Sequence, residues 1–386
     1  MKNLYLVWLL LLVIGCQPSV IKTVQQEIDT ISSQWVPDNR EGICNVLAYS
    51  GKQGKVILKG ETIYNEARQE IIVSIKEKGY EVVDSIVVLP DTLVNSKNWG
   101  VVTLSIANMR RTPRHSSEML SQTIMGTPVR ILKKKGSWYL IQTPDSYIAW
   151  TNESAVQAFS RAAYESWKQS DRVIFLSNAG YVFKTKQRKE VVCDLVAGSI
   201  LEVLGSEGEC CKVQLPDNRS GYIAKGEVKD FSVWQQEVNL NQAQLCHDAS
   251  RFMGLPYQWG GTSSKALDCS GFVKTVYYLN GTILARDASL QFRHGEKIDI
   301  SNGYDLLQKG DLLYFGQQSP LKVTHVGMYI GDSEFIHEAG RVKINSLDST
   351  RANFSHYRTI SLLGARRIIG QASQKGLVTV TNHEWY

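Results

Sequence analysis

Leu255-Pro-Tyr-Gln-Trp-Gly-Gly-Thr-Ser-Ser-Lys-Ala-Leu-Asp-Cys-Ser-Gly-Phe272 is the run on which the reading of this chain turns. It sets Cys269 behind a glycine-rich turn and ahead of an apolar stretch, Phe272 to Tyr278. Phe272, Val276 and Leu279 recur at helical spacing, so a helix is expected to start at or near the cysteine. A cysteine there meets unpaired N–H groups and the positive end of the helix dipole. Both favour the thiolate, the nucleophilic form, so an ionised thiol is expected. Asp268, just ahead, suits a helix cap.

A thiol nucleophile needs a base and a group that orients the base. Thr324 to Gly331 carries His325 at the head of a β-rich segment, and Glu334 to Ala339 carries His337. A turn at Gly331-Asp332-Ser333 would fold the two into a hairpin and bring the histidines together. Cys269, His325 and His337 can then act as nucleophile, base and orienting residue. His115, His247, His294, His356 and His383 stand in no such constellation. Cys-x-x-Cys and His-x-x-x-His pairs are absent from the sequence, so neither a metal nor a cofactor is expected.

Five pieces in order, Tyr257–Gly261, Asp268–Phe272, Lys309–Phe315, His325–Gly331 and Phe335–His337, resemble the NlpC/P60 family of cell-wall cysteine peptidases. The resemblance covers roughly residues 240 to 370 and implies a papain-like α+β core. It implies that Cys269 attacks an amide through a thioester, with His325 as base and His337 orienting it. Developing oxyanion charge would meet the Cys269 N–H and the Tyr257 hydroxyl. Trp259, Asp268 and Ser270 are expected around the same substrate. An acyltransferase on the same core, or a wall-binding protein without activity, are the alternatives.

The first residues read as a targeting segment. Met1-Lys2-Asn3 precedes an apolar stretch from Leu4 to Ile14, too short to span a bilayer. Val13-Ile14-Gly15-Cys16 resembles a lipobox, which implies cleavage before Cys16 and a lipid on its thiol. The mature chain is then expected to be a monomer anchored to a bacterial membrane, in the periplasm or cell envelope.

At 386 residues, two to four domains are expected. With 43% apolar and 21% charged residues the composition is globular, and a charge of +6 without a long basic run argues against a nucleic-acid partner. An internal repeat lies mid-chain. Gly126-Thr-Pro-Val-Arg-Ile-Leu and Gly136 to Ala149 recur as Gly198-Ser-Ile-Leu-Glu-Val-Leu and Gly208 to Ala224. Glycine turns between short alternating segments indicate two small β-barrels, over 100–160 and 172–232, which resemble bacterial SH3-like (SH3b) domains. Residues 20–98 read as a separate α+β region, with helices over Val24–Trp35 and Glu61–Lys78 and strands over Lys55–Leu58 and Glu81–Val88. Val238 to Met253 reads as one amphipathic helix opening a catalytic domain over 238–370. Seven cysteines form no disulfide framework. The tail from Gln371 suggests no role.

SH3b domains before an NlpC/P60 block resemble the YkfC-like subgroup of γ-D-glutamyl-L-diamino acid endopeptidases. That likeness implies peptidoglycan-derived peptides as substrates, cut after D-glutamate during cell-wall recycling. It also implies a closed pocket for the free ammonium of an N-terminal L-alanine. Asp287 is the main candidate for that pocket, with Ser289 beside it and Glu118 and Tyr147 from the first barrel.

Overall fold

In a computed structural model the described residues are 20–94, 96–371, 373–374 and 376–386. The expected leader over 1–16, with Cys16, lies outside them. The chain forms two compact units that divide between Leu89 and Pro90.

The first unit is a three-stranded sheet with two helices. Helix α1 (Val20–Trp35) buries Val24, Ile28 and Ile31, a spacing that lines one face. Strands β1 (Cys44–Ser50) and β2 (Val56–Thr62) pair antiparallel, and helix α2 (Asn65–Glu77) crosses to β3 (Val82–Val88), which lies parallel to β2. Two expectations are corrected and one strand is new. Strand β1 was not foreseen. The second helix begins at Asn65, because Glu61 and Thr62 are held in β2 opposite Asn45 and Cys44. The unit also ends before residue 98: the Asp91 amide bonds the Leu132 carbonyl, and Val94 packs in the first barrel.

The second unit contains two seven-stranded sheets and the catalytic block. The first sheet runs from Trp99–Val102 to Val156–Phe159 and the second from Arg172–Phe175 to Val228–Asp230. Their repeated turns touch each other: the Ile200 amide donates to the Met125 carbonyl at 3.1 Å. Gly126 has φ +79° here, and a Cβ on it would fall 2.1 Å from the Ile200 carbonyl oxygen, so only glycine fits.

The expected helix over 238–253 is shorter, starting only at Gln242 and ending at Ser250. Phe231–Glu237 ends the second barrel, and Asn241 then caps α3 (Gln242–Ser250) by accepting the Gln244 amide at 2.9 Å. An asparagine side chain that satisfies an orphan helix donor starts a new helix rather than continuing an old one. Leu245, Ala249 and Phe252 are fully buried against α4 (Cys269–Leu279). After β4 (Thr282–Leu284) and α5 (Ala288–Gln291) come β5 (Glu296–Ile298), β6 (Leu312–Gln317), β7 (Lys322–Gly331), β8 (Glu334–Glu338) and β9 (Val342–Ser346). Helix α6 (His356–Ile360) leads into β10 (Leu362–Arg367). The sheet order is β5-β10-β6-β7-β8-β9, and α4 packs on β7 and β8.

The tail is structural. Strand β11 (Leu377–Thr379) pairs with β4, Trp385 packs edge-on against Trp99, Tyr164 donates to the Trp385 carbonyl, and His383 bonds the Pro144 carbonyl at 2.9 Å. It thereby ties the catalytic block to the first barrel. Among the described residues no helix is long and apolar enough to cross a membrane, and no cysteine forms a disulfide.

Candidate active site

Cys269 is the first residue of α4, capped by Asp268, whose Oδ1 accepts the Gly271 amide at 2.7 Å. Gly271 is needed because the preceding loop crosses the helix start. A Cβ on it would fall 1.9 Å from the Gly261 carbonyl oxygen. Asp268 Oδ2 also accepts the Gly260 amide at 2.9 Å, so one carboxylate fixes both the loop and the helix.

That carboxylate is paired with Arg286, a residue sequence reasoning did not single out. Arg286 donates from Nη2 at 2.5 Å and Nη1 at 3.2 Å to Asp268, from Nη1 at 2.9 Å to Ser270 Oγ, and from Nε at 2.9 Å to Ser121 Oγ of the first barrel. It is 1% exposed. A buried guanidinium needs its partner: removing one side of such a pair costs roughly 3–5 kcal/mol. Both barrels grip the loop before Asp268. The Thr262 hydroxyl donates to the Gln122 carbonyl at 2.8 Å, and Ser264 bonds the Asn178 carbonyl.

The two histidines lie on neighbouring strands. The Asp332 and Ser333 turn has positive φ at both residues, the geometry of a tight hairpin. His325 Nε2 and His337 Nδ1 are 2.8 Å apart, and His337 Nε2 is 2.9 Å from Asn345 Oδ1. Asn345 was missed in the sequence. Its Nδ2 donates to the Asn353 carbonyl at 2.9 Å. A carbonyl only accepts, so the amide nitrogen must face Asn353 and the oxygen must face His337. His337 therefore carries its proton on Nε2 and offers a bare Nδ1. His325 then donates from Nε2, which leaves its Nδ1 lone pair free to act as a base. Asn345 thus fixes the tautomer of both rings.

Burial opposes the expected thiolate. Burial, reinforced by the Asp268 charge, pushes the Cys269 thiol up to about 12, against hydrogen bonds from the Val326 and Ser270 backbone and the Arg286 charge. Desolvation outweighs the helix terminus. Burial also holds His325 well below its ordinary value, with Arg358, His337 and Lys343 adding, and brings His337 to about 4. Both shifts favour a neutral thiol beside a neutral imidazole, and with it an attack coupled to proton transfer.

The other expected residues divide. Tyr257 is partly exposed; burial raises its hydroxyl pKa, and Cys269 and Asp268 act on it electrostatically. Ser270 is buried and held by Arg286. Trp259 is 62% exposed and donates from Nε1 to Glu118 Oε1 at 3.1 Å, which joins the catalytic loop to the first barrel. Glu118 is also paired with Arg111 at 2.7 Å, so its carboxylate is already shared. Tyr147 is buried in the first barrel's core with Ala285 and Leu290, not open to solvent as a pocket wall. It and Asp287 lie close enough to act on the Arg286 charge. Asp287 and Ser289 are partly exposed, at the start of α5. The five pieces of sequence thus converge on one site, with the first barrel against its Trp259 end.

A cysteine at the start of a central helix, bonded to the Val326 backbone beside the paired histidines of a packed antiparallel sheet, defines a cysteine peptidase of papain-like architecture. Residues 254–362 match the NlpC/P60 family, and residues 109–156 match the bacterial dipeptidyl-peptidase SH3 domain. The chain thus carries a cysteine peptidase domain of the NlpC/P60 type beside a bacterial dipeptidyl-peptidase SH3 domain. It is 29% identical over 236 residues to a gamma-D-glutamyl-L-lysine dipeptidyl-peptidase of Bacillus cereus, covering 58% of this chain and 68% of that one. It is 28% identical over 263 residues to dipeptidyl-peptidase 6 of Lysinibacillus sphaericus, covering 64% and 92%. An NlpC/P60 protein structure from Bacillus cereus shares the fold with a TM-score of 0.61 at 23% identity, covering 70% of this chain and 99% of that one. An NlpC/P60 endopeptidase structure from Photobacterium damselae subsp. piscicida covers 94% of this chain and 93% of its own, with a TM-score of 0.54 at 15% identity.

Proposed function

We propose that this enzyme hydrolyses the amide between γ-D-glutamate and the following diamino acid in short, released peptidoglycan peptides that begin with free L-alanine. The Cys269 sulfur attacks the amide carbon while its proton passes to His325 Nδ1. The carbonyl electrons move onto oxygen, where the Cys269 N–H and the Tyr257 hydroxyl are the donors considered. Collapse breaks the C–N bond, and His325 returns the proton to the leaving amine. Water, deprotonated by His325, then opens the thioester and restores the thiol. The observation that carries this reading is the directed relay from Asn345 through His337 to His325, which leaves one basic nitrogen for the thiol. The names of the Bacillus cereus and Lysinibacillus sphaericus relatives support the substrate class.

The free N-terminus is supported by the first barrel's Glu118 at Trp259 and by the Asp287 carboxylate near Arg286. The lipobox-like Val13 to Cys16 supports a lipid-anchored enzyme outside the cytoplasm. Turnover of L-Ala-γ-D-Glu-diamino acid peptide is compared with that of its N-acetylated form. Strong discrimination against the acetylated peptide is expected, and equal rates would remove the ammonium pocket. Lipid incorporation that persists in Cys16→Ala would remove the anchor.

A further inference from the structure

The histidine side of the site carries two cations that form no ion pair among the described residues. Arg358, on α6, is half-buried, with its guanidinium 5.5 Å from the Phe315 ring and 5.2 Å from the Tyr357 ring. Phe315 in turn packs on His325, with ring centres 5.8 Å apart. Among the described residues, Arg358 has no carboxylate partner and makes no side-chain hydrogen bond. Lys343, opposite His337 in the strand register, has no ion pair either, and acts only at a distance on the Glu338 carboxyl. Both cations lower the proton affinity of His325 and His337, and Arg358 also acts on Cys269 and Tyr257.

A guanidinium partly out of water, with no partner, is a costly arrangement unless an anion visits it. The reaction says which part of the substrate comes there. His325 must protonate the leaving amine, so the amino acid on the amine side of the scissile bond lies beside His325. Phe315 carries Arg358 along that same side.

We propose that Arg358, with Lys343 as a second cation acting on the same histidines, is a specificity-determining residue that binds a carboxylate on the side chain of the leaving diamino acid. This inference rests on the substrate class proposed above and deepens it. The preferred leaving residue is a diamino acid whose side chain ends in its own carboxylate. Lysine offers only an ammonium there, and two cations repel it. Arginine suits the task because its planar fork matches a carboxylate through two parallel bonds.

Three peptides test it: L-Ala-γ-D-Glu-X-D-Ala with X as diaminopimelate, as diaminopimelate amidated on its side-chain carboxyl, and as L-lysine. The terminal D-alanine places the main-chain carboxyl of X in an amide in all three, so the peptides differ only at the side chain. The unaltered enzyme should turn over the first with kcat/KM about 10- to 100-fold above the other two, the range a charge-assisted hydrogen bond supports. Arg358→Gln should bring the three values together, and Arg358→Lys should keep part of the spread.

Equal kcat/KM on all three peptides by the unaltered enzyme overturns the inference while leaving the cleavage reaction intact. An equal fall on all three in Arg358→Gln, with the ratio preserved, overturns it as well, since Arg358 would then act on the thiol and not on the substrate. Failure of the unaltered enzyme to cut any of them at the D-glutamyl bond defeats the proposed function and this inference with it. The ratio in the unaltered enzyme needs no variant to fold.

Discussion

Asn345→Ala is the perturbation with the most specific consequence. The substitution removes the acceptor for the His337 Nε2 proton, 2.9 Å away in the present structure. A donor left unpaired in a buried site costs roughly 1–3 kcal/mol. The relay can escape that cost by reversing. His337 would move its proton to Nδ1 and donate to His325 Nε2, and His325 would then carry its proton on Nδ1, where the base should be. Each molecule so reversed is inactive. A loss of about 10- to 100-fold in kcat/KM follows, since each 1.4 kcal/mol is tenfold. Asn345→Asp keeps an acceptor and adds negative charge, so His337 should bind protons more readily and the acid limb of the pH profile should rise from near pH 4. Steady-state kinetics on a defined peptide give the loss and the limb. Nitrogen NMR of labelled histidines shows which ring nitrogens carry protons, and a thermal melt shows that each variant folds. Activity of Asn345→Ala within about twofold of the parent, with an unchanged histidine NMR pattern, would refute the tautomer argument.

Three further outcomes are expected. Alkylation of Cys269 by iodoacetamide in the resting enzyme should rise about tenfold per pH unit through the alkaline range, because only the rare thiolate reacts; a rate already flat at pH 6 would restore the ion pair. Glu338 is fully buried with neither carboxyl oxygen hydrogen-bonded, and burial, with Asp268 adding, raises it from 4.5 to about 7. The folded state therefore holds this proton longer than the unfolded chain, so stability is lost as pH rises from 4.5 to 7, by roughly 3 kcal/mol at most. Glu338→Gln should flatten that dependence in denaturant melts at pH 5 and pH 8, and an unchanged difference between the two would rule the carboxyl out. Asp268→Ala strands the Arg286 charge and removes the helix cap, and should cost about 3–5 kcal/mol in equilibrium unfolding; a loss under about 1 kcal/mol would mean water reaches the guanidinium.

The catalytic block was legible because its signals are local. The glycine-rich turn, the acidic cap before Cys269 and the hairpin at Asp332 and Ser333 each lie within a few residues of what they shape. The relay's last member was not, since Asn345 meets His337 only through the pairing of β8 with β9. Arg286 reaches Asp268 across 18 residues and Ser121 across 165. Strand β1 hid because Leu47 and Tyr49 are apolar yet exposed, which blurs the alternation a half-buried strand shows. The late start of α3 behind Asn241 turned on a cap that an amphipathic count does not weigh. The state of the thiol depended on a contest between a helix terminus and desolvation, and burial depth is not written in spacing.

The most direct measurement is an acid-quenched reaction with L-Ala-γ-D-Glu-diamino acid peptide, followed by mass spectrometry of both the protein and the products. An acyl group of L-Ala-γ-D-Glu on Cys269, with the same dipeptide and the free diamino acid in solution, is the predicted result. Cleavage at another bond, or the same products from Cys269→Ala, would contradict the account.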